Sequence, residues 1–90
     1  MNRSAKKVWA RLQATESGFK SNDFQDLYLG AGFERLNTGG DVKYRHPVYP
    51  LAAFVSKASG DLPTGYARTA KKLIRALEEY EKNAEKETNG

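Results

Sequence analysis

Few side chains in this sequence can move a proton near neutral pH. His46 is the one histidine among 90 residues, and there is no cysteine. A single histidine cannot build a histidine-based metal cluster. The lack of cysteine removes thiolate zinc sites, disulfide frameworks and a cysteine nucleophile. The carboxylate that attracts notice is Asp41, directly after the pair Gly39-Gly40 and two and four residues ahead of Lys43 and Arg45. Aspartate after a glycine pair commonly serves a turn by accepting backbone hydrogen bonds. With no second acid beside it, it makes no divalent-cation site. No metal and no cofactor are therefore expected.

The charges suit a different chemistry. Fifteen Lys and Arg stand against eleven Asp and Glu, for a net +4. They are unevenly spread. Arg3, Lys6, Lys7, Arg11 and Lys20 make the first twenty residues basic, and Arg68, Lys71, Lys72 and Arg75 do the same further on. The end of the chain reverses sign through Glu78, Glu79, Glu81, Glu85 and Glu87. Such a distribution can hold a polyanion on one side and repel it on another, although a charge run also serves as a solvated face. Ninety residues make one domain with a modest core and little room for a deep pocket. The absence of any long apolar run or secretory segment predicts a cytoplasmic protein with no membrane association.

Hydrophobic spacing locates the elements that must position these groups. Ala5, Val8, Trp9 and Leu12 form a helical stripe over roughly residues 4–16, ended by Gly18. Ser21 or Asn22 then suits a helix N-cap, with Asp23 favourable in the first turn. Phe24, Leu27, Tyr28 and Ala31 follow at helical spacing, and Gly30 or Gly32 stops the helix. Residues 33–37 and 41–46 are strand-like runs around Thr38-Gly39-Gly40, a strong hairpin signal because tight hairpin turns use positive φ. On the second run Val42, Tyr44 and His46 share one face, while Asp41, Lys43 and Arg45 share the other. Residues 51–55 make a third strand. Asp61-Leu62-Pro63-Thr64 opens a last helix whose core stripe is Tyr66, Ala70, Leu73, Ile74, Leu77 and Tyr80. Tyr44, Phe54 and Tyr66 are assigned to the core, and Trp9 anchors the first helix. The fold class is α+β in the order α-α-β-β-β-α, a three-stranded antiparallel sheet with helices on one face and the other open. The double-stranded-RNA-binding domain (dsRBD) has this layout.

Two segments carry a more specific likeness. Gly32-Phe33, followed by Gly39, Tyr44, Arg45, His46 and Pro47, is similar to the hairpin of the HicA family. Asp61-Leu62-Pro63-Thr64-Gly65-Tyr66-Ala67-Arg68 resembles that family's entry to its last helix. The two occur in the family's order and spacing, and the likeness covers roughly residues 21–80. The chain is accordingly divided into a helical extension (residues 1–20), a HicA-like dsRBD-fold domain (21–83) and a charged, disordered tail (84–90).

The resemblance implies a type II toxin that cuts messenger RNA without a metal and is silenced by a HicB-like antitoxin. It places the catalytic histidine directly after Gly-Ser, and here those two positions are Gly40 and Asp41. Cleavage by 2′-hydroxyl attack needs a base for one proton and an acid for another, work that suits histidine. Aspartate, with an ordinary pKa of about 3.9, is a weak base and a poor acid at neutral pH. It also adds negative charge beside a phosphate. His46 is five residues away, an odd separation that puts it on the opposite strand face. Asp41 thus takes the catalytic position with its activity attenuated or lost. Gly39, Gly40, Lys43, Arg45, Lys57 and Arg68 are the expected RNA-binding residues, Arg68 because a helix start also offers free N–H donors. The expected partners are RNA and the antitoxin, with the oligomeric state left open. The competing expectation is a non-catalytic protein-interaction module on the same fold.

Overall fold

Asn2 opens the first helix: its side chain accepts from the Ala5 N–H at 2.9 Å. The computed structural model describes residues 1–89, with that helix, α1, running Arg3–Ala14. The second helix, α2, spans Ser21–Gly30. It starts one residue earlier than a Ser21 cap and two earlier than an Asn22 cap would place it, because Lys20 is the capping position and Asp23 supplies the side chain. The Asp23 carboxylate accepts from the Lys20 backbone N–H at 2.8 Å.

The end of α2 is fixed by Gly32 at φ +99°, a conformation that side chains other than glycine's rarely adopt. Around it the Phe33 N–H donates to the Tyr28 carbonyl at 2.9 Å and the Gly32 N–H to that of Leu29 at 3.1 Å. This is the Schellman pattern, completed by contact between the Phe33 and Tyr28 rings, 5.1 Å apart. Phe33 is therefore part of the helix stop, and the first strand, β1, begins one residue later, at Glu34–Thr38.

The strands β1, β2 (Asp41–Arg45) and β3 (Ala52–Ser56) form an antiparallel sheet in sequential order. Thr38 pairs with Asp41, so Gly39-Gly40 is a two-residue hairpin loop. Only Gly39 has positive φ, +72°, which is the glycine requirement of a II′ turn. Alternation along the strands sends Val42, Tyr44, Ala53 and Val55 into the core.

The last helix, α3, runs Thr64–Asn89, directly after Pro63. Ala67, Ala70, Ile74 and Leu77 are buried on its inner stripe. Tyr80 is half exposed but stacks on Tyr49 with ring centroids 4.9 Å apart. The helix continues across residues 84–89, which composition sets apart as a disordered tail. Ala, Glu and Lys are good helix formers, and no breaker intervenes before Gly90. Gly90 itself lies outside the described residues.

All three helices pack on one side. Val8 and Leu12 of α1 belong to the same core cluster as Phe24, Leu27 and Tyr28 of α2 and the inner residues of the sheet. Where α1 meets α2, Gly30 has no room for a side chain: a Cβ there would collide with Ala5 and Asn2. No helix among the described residues is long and apolar enough to cross a membrane.

Candidate nucleic-acid interface

Strand register builds the open face of the sheet row by row. Thr38, Asp41 and Ser56 lie side by side next to the hairpin turn. Leu36, Lys43 and Phe54 form the middle row, and Glu34, Arg45 and Ala52 the far one. Of the seven residues expected to form the site, Asp41, Lys43 and Arg45 are on this face. Gly39 and Gly40 are the turn at its end. Lys57 follows β3 and reaches back to the turn, its Nζ donating to the Gly39 carbonyl at 2.8 Å. Six of the seven therefore come together.

Arg68 does not join them. Its Nε donates to Glu16 at 3.0 Å, and Lys71 reaches the same carboxylate at 3.4 Å. The guanidinium is engaged in the helical layer, next to the end of α1. The Arg68 hydrogen bond, opposed by partial desolvation and reinforced by Lys71, holds the Glu16 carboxyl below the usual carboxylate range. The sequence offers no spacing rule linking Glu16 to Arg68, since the pair spans 52 positions.

The electrostatics of the open face are mixed. Arg45 pairs with Glu34 at 3.4 Å, both exposed; such a pair contributes little to stability but occupies the cation. Asp41 is exposed, and its carboxylate meets no cation or hydrogen-bond donor among the described residues. What ties Asp41 into the turn is its backbone: the Thr38 hydroxyl donates to the Asp41 carbonyl at 3.0 Å. The expectation that its side chain serves the turn is thus corrected. Lys43 has no carboxylate partner either, and its ammonium sits over the Phe54 ring, 5.6 Å from the centroid.

Phe54 is the residue that sequence reasoning misplaced. It is 55% exposed on the open face, not in the core. The signal was present in the strand alternation, since Ala53 and Val55 face inward and a residue between them must face out. Its ring also walls a shallow, open depression of about 330 Å³ together with Pro63, Gly65, Tyr66 and Thr69 from the start of α3.

His46 lies away from this face, as the odd spacing from Asp41 requires. Its Nδ1 accepts from the backbone N–H groups of Val48 and Tyr49, at 3.1 and 3.3 Å. Its ring meets Phe33 edge-on at 5.2 Å and lies 5.1 Å from Tyr49. The histidine closes the turn after β2 and links two aromatic neighbours. Beneath the sheet, burial pushes the Tyr28 hydroxyl well above the usual tyrosine range and also raises that of Tyr44, where Arg35 opposes the shift. Among the described residues no group of three or more His, Cys, Asp or Glu is gathered as a metal ion would need.

The arrangement offers phosphate contacts from Lys43, and from Arg45 and Lys57 once their present partners yield. It also offers an aromatic surface at Phe54 and no general acid–base pair. Comparison with known proteins finds no matching family model, no matching curated protein and no matching solved structure.

Proposed function

We propose that this chain is an RNA-binding component of a type II toxin–antitoxin pair, similar to the HicA family, whose cleavage chemistry is attenuated or lost at Asp41. The observation that carries this reading is the environment of the position where the resemblance expects a catalytic histidine. Asp41 stands exposed on the open sheet face, next to the glycine turn and in line with Lys43 and Arg45, with no cation holding its carboxylate. His46 cannot replace the missing group without giving up its two backbone hydrogen bonds. A cytoplasmic location and a HicB-like antitoxin as protein partner belong to the same reading.

The chemistry sets the expected level of activity. A phosphate under attack by a 2′-hydroxyl gains negative charge, and a carboxylate beside it opposes both binding and reaction. General acid–base catalysis by a well-placed group supplies about 10²–10⁴-fold, which is the loss expected when the histidine is absent. The test is cleavage of a long single-stranded RNA, with EDTA present, by the native chain and by Asp41→His. Native silence with activity gained by Asp41→His supports the reading. Cleavage by the native chain that survives Asp41→Ala contradicts it.

A second reading, a non-catalytic protein-interaction module, is favoured by a groove of about 350 Å³ between α1 and α3. Met1, Trp9, Ile74 and Leu77 line it together with the charged Lys6, Glu78 and Glu81. Binding centred on its apolar side chains would weaken much less with salt than phosphate binding does.

A further inference from the structure

The middle row of the open face carries an uncommon combination. Leu36 is 37% exposed and Phe54 is 55% exposed, and Lys43 sits between them on the same face. An apolar partner laid across this row would bury both hydrophobic side chains, but it would also bury the Lys43 ammonium with no counter-charge. That desolvation outweighs what two half-exposed side chains return. An occupant that suits the row must bring a flat apolar surface and an anion within a few ångströms of each other. A nucleotide does so, with its base for the ring and its phosphate for the ammonium.

The base has a place to enter. Phe54 walls the open depression whose other side is Pro63, Gly65, Tyr66 and Thr69. Gly65 contributes no side chain there, and a Cβ added to it would meet nothing within 4 Å. Paired bases in a duplex are stacked on one another and present only their edges, so a ring on a sheet can stack only on an unpaired base.

Resting on the RNA-binding reading above, we infer that the open face takes single-stranded RNA, with one unpaired base stacked on Phe54 in the depression beside α3 and its neighbouring phosphate on Lys43. The layout shared with duplex-binding domains is thereby put to a different use. The aromatic side chain on β3 selects unpaired bases, and Arg45 and Lys57 serve phosphates further along the strand.

The experiment is a titration by fluorescence anisotropy at low salt, with three probes: a short single-stranded oligoribonucleotide, the same sequence as a duplex, and inorganic polyphosphate. The native chain is compared with Phe54→Ala, Phe54→Tyr and Gly65→Leu. The native protein is expected to bind the single strand about tenfold or more tightly than either other probe. Phe54→Ala should lose that preference and Phe54→Tyr should keep it. Gly65→Leu should also lose it, by filling the depression while leaving residue 54 unchanged. Gly65→Leu replaces a helical glycine by a better helix former where a Cβ meets nothing within 4 Å, and circular dichroism checks that the fold is kept. If Phe54→Ala and Gly65→Leu bind the single strand as the native chain does, or if polyphosphate binds equally well, base stacking is overturned while RNA binding stands. If the native chain retains neither RNA probe, the RNA-binding reading fails and this inference fails with it.

Discussion

The two faces of the sheet are made from the same strands and differ by one residue of phase. On β2, Val42 and Tyr44 are buried while Lys43 and Arg45, their immediate neighbours, point to the open side. On β3, Ala53 and Val55 are buried while Phe54 is exposed. The inner face is continuous with an aromatic series in which Tyr44 stacks on Tyr28 at 5.0 Å and Tyr28 meets Phe33. The outer face has one aromatic ring, and that ring is covered by a cation instead of another ring. Burial therefore belongs to one parity of residues, and the other is left free for the binding proposed above.

Adjacent substitutions separate the two most sharply. Tyr44→Ala removes a fully buried ring from the inner face and should cost about 3–5 kcal/mol, enough to unfold much of a domain this size. Lys43→Ala, one residue away, should change stability by no more than about 0.5 kcal/mol. Urea denaturation followed by Trp9 fluorescence measures both, and comparable losses would break the distinction between faces.

The helical layer can be probed at its closest approach. Gly30→Ala forces a methyl group against Ala5 and Asn2, so α1 must shift away from α2. The expected cost is about 1–3 kcal/mol in the same assay, with no effect on the open face. An unchanged midpoint would show that α1 is loosely attached and not part of one core.

Phe54→Ala sharpens the comparison from the other side. Despite removing a whole ring, it should lower stability by only about 1 kcal/mol, because the residue is already 55% exposed. A loss near that of a core phenylalanine would place Phe54 functionally with the inner face.

The smallest effects are electrostatic. Glu16, held by Arg68 and Lys71, has a folded-state pKa below its ordinary value of about 4.3. The unfolded chain then binds the proton more readily than the folded one. The contribution of this carboxylate is present above its ordinary pKa and lost as pH falls through the lowered one. Glu16→Gln should therefore narrow the gap in stability between pH 7 and acid pH, seen as a small shift in thermal midpoint at pH 7 that shrinks as the pH falls. On the open face, Asp41→Asn removes a charge that opposes phosphates and should raise retention of RNA about two- to fivefold at low salt. A decrease would show that the carboxylate takes part in binding.

Much of this was legible in the residues. Helical spacing gave three helices in place, and the glycine pair with flanking strand-like runs gave the hairpin and the parity of β2. Positions that depend on a local hydrogen-bond pattern were less visible. Phe33 looks like a strand start because it is apolar and precedes Glu34-Arg35-Leu36, yet its N–H closes the α2 stop. Phe54 looks like core because large aromatic residues usually are, and only the alternation of its neighbours says otherwise. The engagement of Arg68 by Glu16 joins positions far apart in the chain, and no local pattern encodes it. The helical stretch at residues 84–89 is hard to see because dense charge suits a disordered tail and an exposed helix alike.

The central claim is that this face holds RNA through its phosphates, and salt dependence tests it most directly. The native chain is titrated with a single-stranded oligoribonucleotide from about 20 to 300 mM salt. With two or three cations at phosphates, the logarithm of the affinity should fall against the logarithm of the salt concentration with a slope of about −1.4 to −2. Lys43→Ala should reduce that slope by roughly 0.7. No retention at the lowest salt, or retention that salt does not weaken, would contradict the account.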